Sequence, residues 1–342
     1  RAVVVRLGHW GGRWRVDGSR DRPRPAGDPR VHPVRIVFAG SPAAALPSLT
    51  RLLDGPHEVV AVLTRPDAPA GRGRGSRPSP VGVLASERGV ETLAPATSRD
   101  PATLARLTDL APDAGAVVAY GGLLPDPVLA TAARGWVNLH FSLLPRWRGA
   151  APVQHTLMAG DEEAGATVFE LVAELDAGPV WSTLRRPLTG DETTGTLLAE
   201  LAESGAALLA HTLDEIAAGL RSPVPQPAAG MTRAPKVTVA DAEVDWSQPS
   251  SVIDRRIRAC TPAPGAWTSL RGSRVKLGPL LRPQSPVDVV APGRLVVERR
   301  RVLVGTGDSP LQLGSVQGAG KRPLPAADWA RGQHLDDGEA FI

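Results

Sequence analysis

From Val34 onward, short unbroken apolar runs alternate with segments of helical periodicity, and that alternation predicts an α/β fold. RIVFAG (35–40) reads as a strand buried on both faces. Ser41 then offers a helix N-cap and Pro42 a first helical residue, with the helix running to about Leu53. VVAVLT (59–64) supplies the next strand, which makes a β-α-β unit with a right-handed crossover. Beyond it, 81–89 reads as helix, 114–120 as strand, 125–133 as helix and 135–140 as strand. Such a series implies a Rossmann-like, mostly parallel sheet with helices on both faces. The runs 166–175 and 179–188 flank Asp176-Ala177-Gly178 and read as an antiparallel pair. Residues 193–220 are helical in pattern, with an interruption expected near Gly205.

Prolines then mark a linker at 222–230, extended to 235, and the pattern changes beyond it. In 236–342 short apolar stretches such as RVKLGP and PLQLGSVQ alternate with Gly/Pro turns, which predicts a small OB-like β-barrel with one helix near Pro249–Cys260. The division expected is therefore an extension at 1–33, a first domain at 34–221, a linker at 222–235 and a barrel domain at 236–342. The extension is rich in Arg, Gly and Pro and has no sustained period; it reads as a disordered basic arm or a misassigned start, and no function is assigned to it.

Composition narrows the class. The 342 residues suit two domains, and 42% hydrophobic with 22% charged residues is the balance of a soluble globular protein. No apolar run approaches the ~20 residues of a membrane span, so no transmembrane segment is expected; the protein is expected to be cytoplasmic, and a monomer is the working expectation for its assembly. A single cysteine, Cys260, excludes an internal disulfide and any multi-cysteine zinc site, and the scattered histidines predict no metal. The net charge of +4 is uneven: +5 in 1–33, −6 in 34–221 and +5 in 222–342. A basic C-terminal third suits a polyanionic partner, though a solvated charged face has the same composition.

Candidate chemistry concentrates in WVNLHFSLLPRWRGAAP (136–152) and in ELDAGPV (174–180). Asn138 and His140 stand two apart in a predicted strand, so their side chains share one face. Asp176 adds a carboxylate able to orient the imidazole. An amide that hydrogen-bonds, a group that moves a proton and a carboxylate that orients it form a coherent transfer site. Polar residues at strand ends also serve structure alone, so spacing leaves both uses open. Gly40-Ser41-Pro42 follows the first strand as a phosphate loop would, but lacks the G-x-G-x-x-G spacing, which counts against an NAD-dependent oxidoreductase.

NLHFSLLPRWRGAAPVQ (138–154) closely resembles the signature of the folate-dependent formyltransferases, whose catalytic triad is Asn, His and Asp. RIVFAGSPAAALPSLTRLL (35–53), VVAVLTRPDAPAGRGR (59–74), VVAYGGLLP (117–125) and LDAGPV (175–180) resemble the methionyl-tRNA branch of that family, so the likeness spans nearly everything from Val34. The resemblance implies formyl transfer from 10-formyltetrahydrofolate to the α-amino group of initiator methionyl-tRNA, with Asn138, His140 and Asp176 as catalytic residues. It also implies folate contacts at Ser142, Leu143, Leu144 and Pro145, where ordinary loop packing is the alternative. Attack of a neutral amine on a formyl carbon builds negative charge on oxygen, which the Asn138 amide and a protonated His140 can meet. A histidine with an ordinary pKa of ~6.5 suits the accompanying proton transfers.

The resemblance further implies that the loop RPDAPAGRGRGSR (65–77) meets the tRNA acceptor stem through Arg72, with Arg74 beside it, and that Lys321 and Arg322 in GAGKRPL are basic tRNA-binding positions. The family's lysine-rich linker is thinned here to MTRAPKVTVADAEVDW (231–246), which weakens that local contact. Two rivals stand beside this reading: a folate-dependent formyltransferase acting on an amino sugar or nucleotide amine, and a catalytically silent RNA-binding protein.

Overall fold

The computed structural model describes residues 3–4, 15–17, 33–70, 75–281, 288–335 and 338–342. The chain divides into two compact units, the first comprising 1–152, 163–187 and 198–233, the second 153–162, 188–197 and 234–342.

The first unit is built on one twisted sheet. Its strands are β1 (Arg35–Gly40), β2 (Glu58–Leu63), β3 (Thr92–Leu93), β4 (Ala114–Val118), β5 (Trp136–His140), β6 (Glu163–Glu170) and β7 (Val180–Pro187). They lie in the order β7-β6-β5-β4-β1-β2-β3. Neighbours from β3 through β5 are parallel, while β6 and β7 run antiparallel. The parallel strands are apolar along their length because both faces are covered: β4 is buried at all positions and β1 at all but its first. The chain runs outward from β1 to β2 and β3 and then crosses back to β4 on the other side of β1, so the crevice beyond the carboxyl ends of β1 and β4 is where such sheets hold ligands. Val3–Val4 and Arg15–Asp17, inside the N-terminal extension, continue the sheet past β7 as short antiparallel strands.

Three local expectations are revised. Ser41 does not cap a helix: a 3-10 turn at Ala43–Ala45 precedes α1 (Leu46–Leu53), and the Ser41 hydroxyl donates instead to Tyr120 O at 3.0 Å. The helix Thr194–Ala217 passes through Gly205 without a break. A Cβ there would lie 2.9 Å from Leu139 Cδ2, so the glycine admits β5 close to the helix. Third, 125–133 yields only the short helix Asp126–Leu129, while an unanticipated helix, Pro101–Leu110, starts from an Asp100 cap bonded to Thr103 N–H.

Trp136, fully buried opposite Gly115 in the β4–β5 pairing, anchors the strand that carries Asn138 and His140. A Cβ at 115 would fall 2.0 Å from the indole ring. Gly115→Ala is therefore expected to destabilise the protein by about 3 kcal/mol through overpacking, read as a lowered urea midpoint at unchanged slope.

The second unit holds two antiparallel sheets among the described residues, a small β domain as expected. One comprises β8 (Trp267–Leu270), β9 (Ser273–Leu277), β13 (Ser315–Gly318) and β14 (Leu324–Pro325). The other comprises β10 (Leu295–Val297), β11 (Val302–Val304) and β12 (Leu311–Gln312). Val275 and Leu277 point inward while Arg274 and Lys276 face solvent, the alternation a half-buried strand requires. The helix read at Pro249–Cys260 spans Ser250–Ala259, and its first N–H donates to Asp308, whose carboxyl is held down to about 2 chiefly by that bond. A second helix, Ala326–Gln333, buries Trp329 beside Phe341, which stacks on Trp246 at 5.4 Å. Cys260 is buried in this core, and burial pushes its thiol up to about 11, leaving it unreactive.

Candidate active site

β5 ends at His140, at the carboxyl edge of the sheet. Its antiparallel partner β6 sets Phe169 opposite Asn138 and Thr167 opposite His140. The Phe169 ring meets the imidazole edge-on at 6.3 Å and holds its plane. His140 Nε2 lies 2.9 Å from the Trp147 carbonyl; a carbonyl only accepts, so Nε2 carries the hydrogen. Nδ1 then faces Asp176, whose Oδ2 is 3.9 Å away, within ion-pair reach but beyond hydrogen-bond length. Asn138 is half-buried, and its Oδ1 has no partner among the described protein groups.

The segment after His140 folds back on itself. Ser142 donates its hydroxyl to Arg146 O at 2.7 Å, and Thr167 on β6 donates to Ser142 O at 2.7 Å. Leu143 lies over Gly165: a Cβ there would come within 2.3 Å of Leu143 Cδ2. Leu144 N–H reaches Thr167 Oγ1, and the Leu144–Pro145 peptide is cis. Ser142 and Leu143 thus have definite local packing, while Leu144 and Pro145 are partly exposed. The loop then turns at Trp147, in left-handed conformation, so that its carbonyl meets the imidazole.

Asp176 comes from the loop that joins β6 to β7. Its φ of +51° is a conformation aspartate tolerates better than most side chains. The carboxylate is buried and accepts the Gly149 N–H at 2.8 Å, which fixes Oδ2 next to His140. Gly178 is obligatory: a Cβ there would lie 1.7 Å from the Glu170 carbonyl. His140 and Asp176, far apart in sequence, thereby come within 3.9 Å of each other, and Asn138 stands two residues before His140 on the same face of β5.

Gln226 and Thr232, which no sequence pattern singles out, complete the surroundings. Gln226 donates from Nε2 to Asp176 O and Gly178 O, both at 2.8 Å, and its Oε1 accepts from Arg148. Thr232 accepts the Trp147 N–H at its hydroxyl and the Arg148 N–H at its carbonyl. A cavity of about 370 Å³ opens beside this network, lined by Arg148, Glu174, Ala177, Pro179, Gln226 and Met231 among others. Arg72 and Arg74 lie outside the described residues. Lys321 and Arg322 are exposed at the turn between β13 and β14. Among the described residues no three His, Cys, Asp or Glu gather as a metal site, and no helix is long and apolar enough to cross a membrane.

The family model described as Formyl transferase matches residues 34–213, and the one described as Formyl transferase, C-terminal domain, matches 236–334. The chain belongs to the formyl transferase family. Among its relatives, methionyl-tRNA formyltransferase of Salinispora arenicola is 55% identical over 308 residues, covering 90% of this chain and 100% of that protein. The methionyl-tRNA formyltransferase of Thermobifida fusca is also 55% identical, over 90% of this chain and 99% of its own. Of solved structures, HypX from Aquifex aeolicus in complex with tetrahydrofolic acid matches with a TM-score of 0.58 at 19% identity, over 87% of this chain and 47% of that one. At that identity the likeness is one of fold.

Proposed function

We propose that this formyl transferase moves the formyl group of 10-formyltetrahydrofolate onto the α-amino group of methionyl initiator tRNA, supplying translation initiation. The observation that carries the reading is the approach of Asp176 to His140, two residues after Asn138 on β5, in a chain whose full-length relatives at 55% identity bear that activity's name. When bound, the folate supplies an activated formyl carbon. Asn138 suits this substrate pair: its amide N–H groups can donate to the formyl oxygen as charge grows there, and its buried, unpartnered Oδ1 can accept an N–H of the attacking amine. His140 takes the amine proton at Nδ1, the ring nitrogen not committed to Trp147, and returns it to the departing folate nitrogen. Asp176, held by Gly149, stabilises the transient imidazolium across the 3.9 Å gap. Ser142, Leu143, Leu144 and Pro145 form the folate side of the site. Arg72, Arg74, Lys321 and Arg322 are assigned to tRNA phosphates. The enzyme acts as a cytoplasmic monomer.

The test is incubation of purified protein with formyl-labelled 10-formyltetrahydrofolate and charged initiator tRNA. Label on methionine supports the assignment; label only on an amino sugar or nucleotide amine overturns it. With tRNA as acceptor, KM is expected to rise steeply between 50 and 200 mM salt, by about tenfold or more, because phosphate contacts release counterions. A salt-insensitive KM would remove the basic residues from tRNA binding.

A further inference from the structure

The Gln226 side chain sits in a segment whose sequence, PVPQPAAG, reads as a connector. Its placement is nevertheless fixed. Val224, two residues earlier, exchanges two backbone hydrogen bonds with Val180 at the start of β7 (2.7 and 2.8 Å). From that anchor the Gln226 amide projects between two loops. Nε2 gives one hydrogen to Asp176 O and the other to Gly178 O. Oε1 receives Arg148 Nε at 3.1 Å and Nη2 at 2.8 Å. One amide therefore spends both donors on the turn that carries Asp176 and both acceptor positions on the loop whose Trp147 carbonyl holds His140.

We infer that Gln226 is a positioning residue that sets the Asp176 carboxylate against His140 by cross-bracing the two loops. The inference rests on the proposed role of that carboxylate as partner of the imidazole. Three features support a brace over simple packing. Asp176 has its main chain in a left-handed conformation, which aspartate tolerates but at some cost, so restraint of the turn by neighbouring groups favours it. The carboxylate itself accepts a backbone bond from Gly149 N–H, one residue from Arg148. The flanking residues Val172, Glu174 and Leu175 are exposed, so the turn is held from outside mainly by polar links, the Gln226 amide and an exposed Glu174–Arg148 ion pair at 3.1 Å. Glutamine is also the side chain the geometry demands: glutamate offers Arg148 a stronger partner but has no hydrogen to give two carbonyls, and alanine has neither.

The experiment compares wild type, Gln226→Ala and Gln226→Glu after confirming unchanged circular dichroism and melting. Formyl transfer is measured with both substrates varied. Both substitutions are expected to lower kcat about 10²-fold, the scale of a misplaced catalytic group, with KM for tRNA changed less than about threefold. In an Asp176→Asn background Gln226→Ala should cost almost nothing further, since the two act as one unit. Wild-type kcat in Gln226→Glu, or full additivity in the double variant, overturns the brace. Backbone hydrogen exchange of residues 147–151 gives a reading independent of turnover: release of the Asp176 turn frees the Gly149 amide and accelerates exchange in both variants. Unchanged exchange also overturns the inference. If wild type itself transfers no formyl to methionyl-tRNA, the proposed acceptor fails while the exchange measurement still decides whether Gln226 restrains the turn.

Discussion

His140→Ala should lower kcat for formyl transfer by about 10²- to 10⁴-fold while leaving tRNA affinity near its wild-type value. The imidazole is buried at the end of β5, fixed by Trp147 O and the Phe169 ring, and its Nδ1 faces the buried carboxylate. Nothing in that setting contacts a surface large enough to bind a polyanion. Alanine removes the proton carrier and one of the charges available to a developing oxyanion, both of which matter only at the transition state. Single-turnover kinetics with pre-bound tRNA isolates that step. Equal losses in turnover and in tRNA binding would show that the histidine shapes the site rather than working in it.

Asp176→Asn should produce much of the same defect, about 10²- to 10³-fold in kcat. The asparagine carbonyl can still accept the Gly149 N–H, and the turn keeps its bonds to Gln226, so the fold of the loop should survive. What disappears is the negative charge 3.9 Å from Nδ1. Opposite charges at that separation interact by up to about 4 kcal/mol when partly screened, and 1.4 kcal/mol corresponds to tenfold in rate. Near-normal turnover in the purified variant would remove Asp176 from the reaction. An intact melting temperature with slow turnover is the combination expected.

Much of this site is legible in the sequence because period-2 geometry leaves little freedom. A buried apolar run ending in NLH can only present Asn138 and His140 to one side, and the ladder with β6 does so. The fold class follows equally directly, since RIVFAG, VVAVLT and AGAVVAY read as apolar strands; β4 is buried throughout, β1 at all but its first residue and β2 over its second half. What escapes is contact whose partners carry no pattern. Gln226 binds main-chain carbonyls, and any residue supplies a carbonyl, so nothing in PVPQP announces its targets. Gly205 misleads in the opposite direction: glycine weakens an isolated helix, but here it is the missing side chain that lets Leu139 approach. Helix Pro101–Leu110 did carry a signal, an Asp100 cap with proline at the first helical position, obscured by its weakly apolar face.

The prolines of 222–230 suggest a slack tether, and slack tethers accept added residues cheaply because closure entropy changes slowly with length. Here the chain is laced like a belt through fixed eyelets, at Val224, at Gln226 and at Thr232. An insertion between the first and last must pull one of them out of register, and the middle eyelet is sewn to the turn that holds Asp176. Length in this stretch is thus a property of the reaction centre.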